Sequence, residues 1–285
     1  GASPAIVGPM VDVRPIAVVR DVPLALPRCE LTWIDREPID LDRAHAQHRA
    51  YRDALDAAGL RVVALPATHE LPDSCFVEDL LLDLGDVRVL TSPGADSRQP
   101  EREAMRAAFA PGAPLADSGP LLEMPDGLRL DGGDVLAIRD LVYVGLSTRT
   151  DRDAVEWLAQ QTARKVLGVP LEGALHLKTA VSALSENVLV LNPGAVEERW
   201  FPWFDLIRTP AGEEPAANAL RLPPRLEVVD ANNRDERALM DARCTRSIAC
   251  ARRWGIDVTP VDISEFAKAE AGLTCLSVIL EGGAS

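Results

Sequence analysis

Three stretches of this chain put reactive side chains at the head of an apolar run. The first, Leu71-Pro72-Asp73-Ser74-Cys75-Phe76-Val77-Glu78-Asp79, carries three carboxylates within seven residues, a set suited to holding a cation. On a regular strand Asp79 and Val77 point to one side and Glu78 to the other, so the three need not share a pocket, and a solvated strand end is the plainer reading. The second, Leu130-Asp131-Gly132-Gly133-Asp134, pairs glycines that let backbones approach closely and fix the flanking acids. By itself it reads equally as a tight turn with exposed acids. The third, Leu175-His176-Leu177-Lys178-Thr179, sets a histidine where the other two set acids. Near the C-terminus, Leu273-Thr274-Cys275-Leu276 holds a cysteine that alone reads as a small buried hydrophobe. If His176 met Asp131 and Cys275, the three would form the nucleophile, base and orienting carboxylate of covalent catalysis. His69 beside the first acidic stretch resembles a transition-metal ligand set, but its spacing fits no ligand motif, and no metal is expected. His45 and His48 belong to an amphipathic helix.

Such a meeting requires elements that converge. In each of the three stretches the reactive residues are followed by two apolar runs separated by a polar tip (Gly85-Asp86, Arg139-Asp140, Ser185-Glu186), a β-hairpin pattern. The first two hairpins lead into turns carrying Arg98 and Arg149, after which helices are expected. Fainter copies lie around 16–20 and from Leu226 through Cys275 to Leu280, giving about five units of roughly 50 residues. Five units predict a closed ring with equivalent strand starts around one axis. The clearest helix begins after Asp40 and runs through Leu41, Ala44, His48, Tyr51, Leu55 and Ala58 to Gly59. Others are expected after Pro100, Asp151 and Asp235. The proline-rich stretch 193–224, with Trp200-Phe201-Pro202-Trp203-Phe204, reads as an insertion whose aromatics pack on a blade or form a subunit contact.

Composition narrows the partners. Thirty Lys and Arg against 44 Asp and Glu give a net charge of −14, which disfavours nucleic acid and anionic membrane surfaces. The longest apolar runs fall far short of a bilayer span, and Gly1 to Met10 do not read as a secretory signal. Five cysteines without a C-x-x-C pair argue for reduced thiols in a cytoplasm.

Taken together, LPDSCFVED, the turn Pro93-Gly94-Ala95-Asp96-Ser97-Arg98, LDGGDVL, YVGLSTRT (143–150), LHLK, AAN (216–218) and LTCLS (273–277) resemble the dimethylarginine dimethylaminohydrolases, guanidine-modifying enzymes of the pentein fold. The resemblance spans most of the chain and implies a single α/β domain over 1–285, a five-bladed propeller of ββαβ-type units. By matching motifs it implies Cys275 as nucleophile, His176 as general acid and base, and Asp131 as the carboxylate orienting the imidazole. Asp73, Glu78 and Asp79 would hold the guanidinium, and Arg98 and Arg149 the substrate's α-carboxylate. Leu31 would belong to a lid, and the backbone of Ala269 would meet the α-amino group. The implied reaction converts methylated arginine to citrulline through a Cys-thiouronium, without metal or organic cofactor. An arginine deiminase, an amidinotransferase or a non-catalytic binding propeller are the alternatives; the longer helical insertion usual in deiminases is absent. Leu276 stands where some family members carry a second cysteine. Exposed propeller edges permit a homodimer without requiring one.

Overall fold

The structure is a computed structural model and describes residues 14–225 and 235–280. The readings on Gly1 to Met10 and on Leu226 as the start of a unit lie outside them. Among the described residues the strands form five three-stranded sheets. Every sheet has one plan: a central strand pairs antiparallel with an inner strand and parallel with an outer one. The centres are Ile16–Arg20, Arg88–Leu90, Leu141–Leu146, Val188–Leu191 and Arg237–Asp241. In four sheets the inner strand precedes the centre in the chain. In the first it is Val278–Leu280 from the opposite end, with Ala17 opposite Ile279, and this pairing closes the ring.

Because side chains alternate across a strand, each blade feeds two cores. Ile16 and Val18 pack with Leu81, Leu90, Val278 and Leu280. Ala17 and Val19 pack with Leu239 and Val261 of the fifth blade. The crossover to each outer strand covers these faces. In the first blade it is Leu41–Ala57, opened by Asp40, whose side chain accepts from the Arg43 N–H, and ended near Gly59, which takes φ +91°. Helices Glu101–Ala107, Arg152–Gln161 and Thr245–Arg253 serve three others. The expected helix after Asp235 begins only at Thr245, because Arg237–Asp241 is a fully buried strand whose alternate residues enter different cores.

The stretch 193–224 is woven into the ring. It supplies the outer strand Asp205–Arg208 of the fourth blade and the inner strand Leu220–Leu222 of the fifth, and a 3-10 turn, Glu198–Trp200, replaces the crossover helix. Its aromatics pack on a blade: Phe201 is buried with its ring 5.0 Å from Tyr143, and Phe204 meets Tyr143 at 6.2 Å.

The three hairpins are present, but their reactive residues precede the strands. One helical turn enters each inner strand: Val77–Asp79, Gly132–Asp134, Leu177–Ala180, Glu214–Ala217 and Thr274–Leu276. The alternating-face argument for Asp79 and Glu78 therefore does not apply, since both lie on a 3-10 turn. Leu82, Leu136, Ala183, Leu220 and Ile279, one from each inner strand, line a central cavity of about 510 Å³. A smaller pocket is lined by residues from the helical turns, the adjoining loops and the segment 269–271.

Candidate active site

Asp79, Asp131, His176 and Cys275, from four of the five strand entrances, line this smaller pocket. His176 Nε2 lies 2.8 Å from Asp131 Oδ2, and Asp131 Oδ1 accepts from the Gly94 N–H at 2.6 Å. On the ring's other side Nδ1 is 3.7 Å from Asp79 Oδ1, too long for a hydrogen bond. Asp79 Oδ1 accepts from the Gly133 N–H at 3.0 Å, and Oδ2 takes a guanidinium N–H of Arg98. The backbone that places His176 is held by Asp134, whose Oδ1 accepts from the Leu177 N–H at 3.0 Å. Asp134 Oδ2 accepts from the hydroxyls of Ser147 and Thr150.

Two glycines let these groups meet. A Cβ on Gly132 would stand 1.9 Å from the Glu78 carbonyl oxygen; one on Gly133 would stand 2.4 Å from His176 Nδ1 and 2.8 Å from Asp79 Oδ1. The paired glycines of the second stretch thus seat blade against blade at the site.

The electrostatics follow from burial among carboxylates. Burial of the His176 ring disfavours its charge, but Asp79, Asp131 and Asp134 outweigh it and lift the pKa from 6.5 to about 9. The ring is an imidazolium at neutral pH. This pair also stabilises the fold: its contribution is complete below the unfolded value near 6.5 and is lost as pH rises through about 9. Burial of Asp79 opposes its ionisation, yet His176 and Arg98 hold the carboxyl below its ordinary value. Burial pushes the Cys275 thiol well up, and Glu78 and Asp79 push it further, against the Gly272 N–H and Lys178. Among these acids the thiol is protonated at neutral pH.

The remaining expected residues divide. Asp73, Arg149 and Ala269 line the pocket; Ala269 gives its N–H to the Phe266 carbonyl, so its C=O is the backbone group that could meet an ammonium. Leu31 packs at the edge of the first core, within the loop that also carries Glu30 and Thr32. Glu78 is not among the lining residues of this pocket: its carboxylate takes Lys178 Nζ at 2.6 Å and the Thr274 hydroxyl at 2.7 Å, and it borders the central cavity. Arg98 lines the pocket, but it is buried and donates to Asp79, to Glu101 and to the carbonyls of Asp73 and Phe76. That arrangement braces the acidic turn. Asn218, in the AAN motif, had no assigned role; it accepts from the Thr274 N–H and donates to Thr274 Oγ1 and the Lys178 carbonyl, tying the cysteine turn to the histidine turn. His69 accepts the Leu24 N–H at Nδ1 in a loop away from the pocket. The grouping of Asp79, Asp131 and His176, with ligand atoms within 4.8 Å of one another, could also gather a cation.

A family model for arginine deiminases matches residues 67–223. The N(G),N(G)-dimethylarginine dimethylaminohydrolase of Streptomyces coelicolor is 34% identical over 254 residues, covering 88% of this chain and 91% of its own. The chain belongs to the dimethylarginine dimethylaminohydrolase family. Solved members share its architecture. The Pseudomonas aeruginosa enzyme, a cysteine-to-serine mutant complexed with citrulline, superposes with TM-score 0.81 at 27% identity, over 94% of this chain and 99% of that one. A histidine-to-glycine dimethylarginine dimethylaminohydrolase, captured as its adduct with S-methyl-L-thiocitrulline, gives TM-score 0.81 at 28% identity, over 93% and 99%. These matches establish a pentein fold for the chain, and dimethylarginine dimethylaminohydrolase membership agrees with the ring of five blades.

Proposed function

We propose that the protein hydrolyses N-methylated arginine to citrulline and dimethylamine or methylamine through a covalent intermediate on Cys275. The observation that carries this is the Asp131–His176 pair at 2.8 Å, in one pocket with Cys275 and Asp79. The relatives' names and their complexes with citrulline and a thiocitrulline support the substrate class.

In this reading the guanidinium lies against Asp79, with Asp73 nearby and Glu78 behind Cys275. Its positive charge offsets the acids that hold the thiol protonated, so binding assists ionisation of Cys275, whose proton leaves to solvent. The thiolate attacks the central carbon to give a tetrahedral adduct. His176, held through Nε2, passes a proton from Nδ1 to the methylated nitrogen, and the C–N bond breaks to release the amine. A thiouronium remains on Sγ. His176, now neutral, takes a proton from water as that water attacks the same carbon. Collapse breaks the C–S bond, the remaining hydroxyl proton passes to the departing sulfur to restore the Cys275 thiol, and the ureido group of citrulline is left. Arg149 binds the α-carboxylate, and Arg98 acts on the guanidinium end by holding Asp79. All five cysteines are free, which suits the reducing cytoplasm we propose for it.

The test is citrulline release from asymmetric dimethylarginine, monomethylarginine and arginine side by side. Turnover of the methylated pair ahead of arginine is expected. Arginine turned over fastest would make the protein a deiminase, and silence on all three would favour an amidinotransferase or a binding propeller.

The general acid must start protonated, so kcat/KM, read from neutral pH upward, should fall above about pH 9 as free His176 loses its proton. A rate still climbing one unit beyond that point would contradict His176 as the acid. Asp131→Asn should move this limb to lower pH, because it removes one of the charges that favour the imidazolium.

A further inference from the structure

The loop 30–34 bears the expected lid residue Leu31, and its fastenings run to the pocket. Glu30 donates its N–H to Asp73 at 3.1 Å and accepts from the Ser97 hydroxyl at 2.8 Å. Thr32 Oγ1 accepts from Arg149 at 2.9 Å. The N–H groups of three consecutive residues, Thr32, Trp33 and Ile34, all donate to the single carboxylate of Glu270, those of Thr32 and Ile34 at 2.8 Å. Trp33 and Ile34 are 54% and 45% exposed, so burial does little to hold this part of the loop.

Glu270 itself is held in an uncommon way. It has φ +57°, the left-handed region where a residue with a Cβ is strained. It lines the pocket with Ala269 and Ala271 on either side, five residues before Cys275. This strained turn aims the carboxylate at the loop backbone while the neighbouring Ala269 faces the ligand space.

We propose that Glu270 is a positioning residue that fastens the 30–34 loop over the amino-acid end of the substrate, so that binding of that end depends on a carboxylate that takes no part in the chemistry. This rests on the methylarginine reading above. The partners agree in place: Asp73 and Arg149, which also hold the loop, line the pocket, and Arg149 is the residue expected to meet the substrate carboxylate. The loop, the α-carboxylate clamp and the segment after Ala269 therefore form one cover. Among the described residues, the side chains of Asp131 and His176 bond to other partners and not to the 30–34 loop or Glu270, while Cys275 Sγ accepts from the Gly272 N–H at 3.4 Å.

Glu270→Ala removes three charge-assisted acceptor contacts, each worth more than a neutral one. KM for asymmetric dimethylarginine should rise about tenfold or more while kcat stays within about threefold. Glu270→Gln, which keeps the shape and one carbonyl acceptor, should fall between. A guanidine substrate lacking the α-amino and α-carboxylate groups, such as N-methylguanidine, should have a kcat/KM unchanged by either substitution. Trp33 reports the loop without any substrate: acrylamide quenching, taken as the difference from a Trp33→Phe protein, should increase in Glu270→Ala. Unchanged KM together with unchanged quenching would overturn the proposal, and so would a loss confined to kcat. If the parent protein turns over no methylarginine, the function reading fails, but the quenching arm still decides whether Glu270 holds the loop.

Discussion

Replacing Cys275 by serine should leave methylated arginine bound and lower kcat by at least about 10⁴-fold, to the limit of detection. The expectation rests on electrostatics as much as on nucleophilicity. A bound guanidinium can draw a buried thiol into ionisation, since an ordinary cysteine ionises near pH 8.5. A serine hydroxyl is a far weaker acid in the same acidic surroundings, and nothing in the pocket deprotonates it: His176 already carries a proton at neutral pH, with its pKa at about 9. Binding should persist because Asp73, Asp79 and Arg149 are untouched. Calorimetric titration with asymmetric dimethylarginine, alongside a citrulline assay, checks both halves. Retained turnover would remove the nucleophile from the account; lost binding would show that Sγ contributes to the guanidinium site.

Gly133→Ala should cost about 10²-fold or more in kcat/KM, although the residue carries no functional group. The added Cβ would lie 2.4 Å from His176 Nδ1 and 2.8 Å from Asp79 Oδ1, and neither partner is free to yield. The ring is tied to Asp131, and Asp79 to Arg98 and to the Gly133 N–H itself. The imidazole and the carboxylate must separate, which weakens the interaction that raises the pKa of His176. The alkaline limb of the pH profile should therefore move down along with the rate. Gly168→Ala is the control, because its Cβ would make ordinary contacts of 3.4 to 3.6 Å with Leu146. Equal activity in both variants would show that the site tolerates the shift.

The ring was legible because its repeat is written in hydrophobic runs and polar tips, which survive even where the blades differ in sequence. Counting units predicts a closed ring, but not that Val278–Leu280, grouped by sequence with the C-terminal copy, is the inner strand of the first blade and pairs with Ile16–Arg20. Asp131, His176 and Cys275 can be named because polar, reactive residues stand at corresponding strand entrances and match the family's motifs. The helical turns at those entrances were not visible: four or fewer residues per turn are too short to show a period, so the stretches looked like strand starts. By sequence 193–224 reads as an insertion, because prolines and aromatics hide the short strand Asp205–Arg208. Arg98 was expected at the substrate carboxylate, since an arginine in a turn shows its charge and not its partners; burial beside Glu101 and Asp79 emerges only from packing. Glu270 gave no signal, because its three partners lie more than 230 residues away in sequence. Asp134 and Asn218 sat within motifs already singled out, and a search for acceptors facing the backbone next to His176 and Cys275 would have found them.

The most direct test of the covalent mechanism is the mass of the protein after rapid acid quench during turnover of asymmetric dimethylarginine, followed by mapping of the modified peptide. The account predicts an adduct equal to the substrate less dimethylamine, confined to the peptide containing Cys275 and absent from the Cys275→Ser protein. Rapid citrulline formation in the parent protein with no adduct at any quench time would contradict a thiouronium on Cys275 and point to direct attack by water.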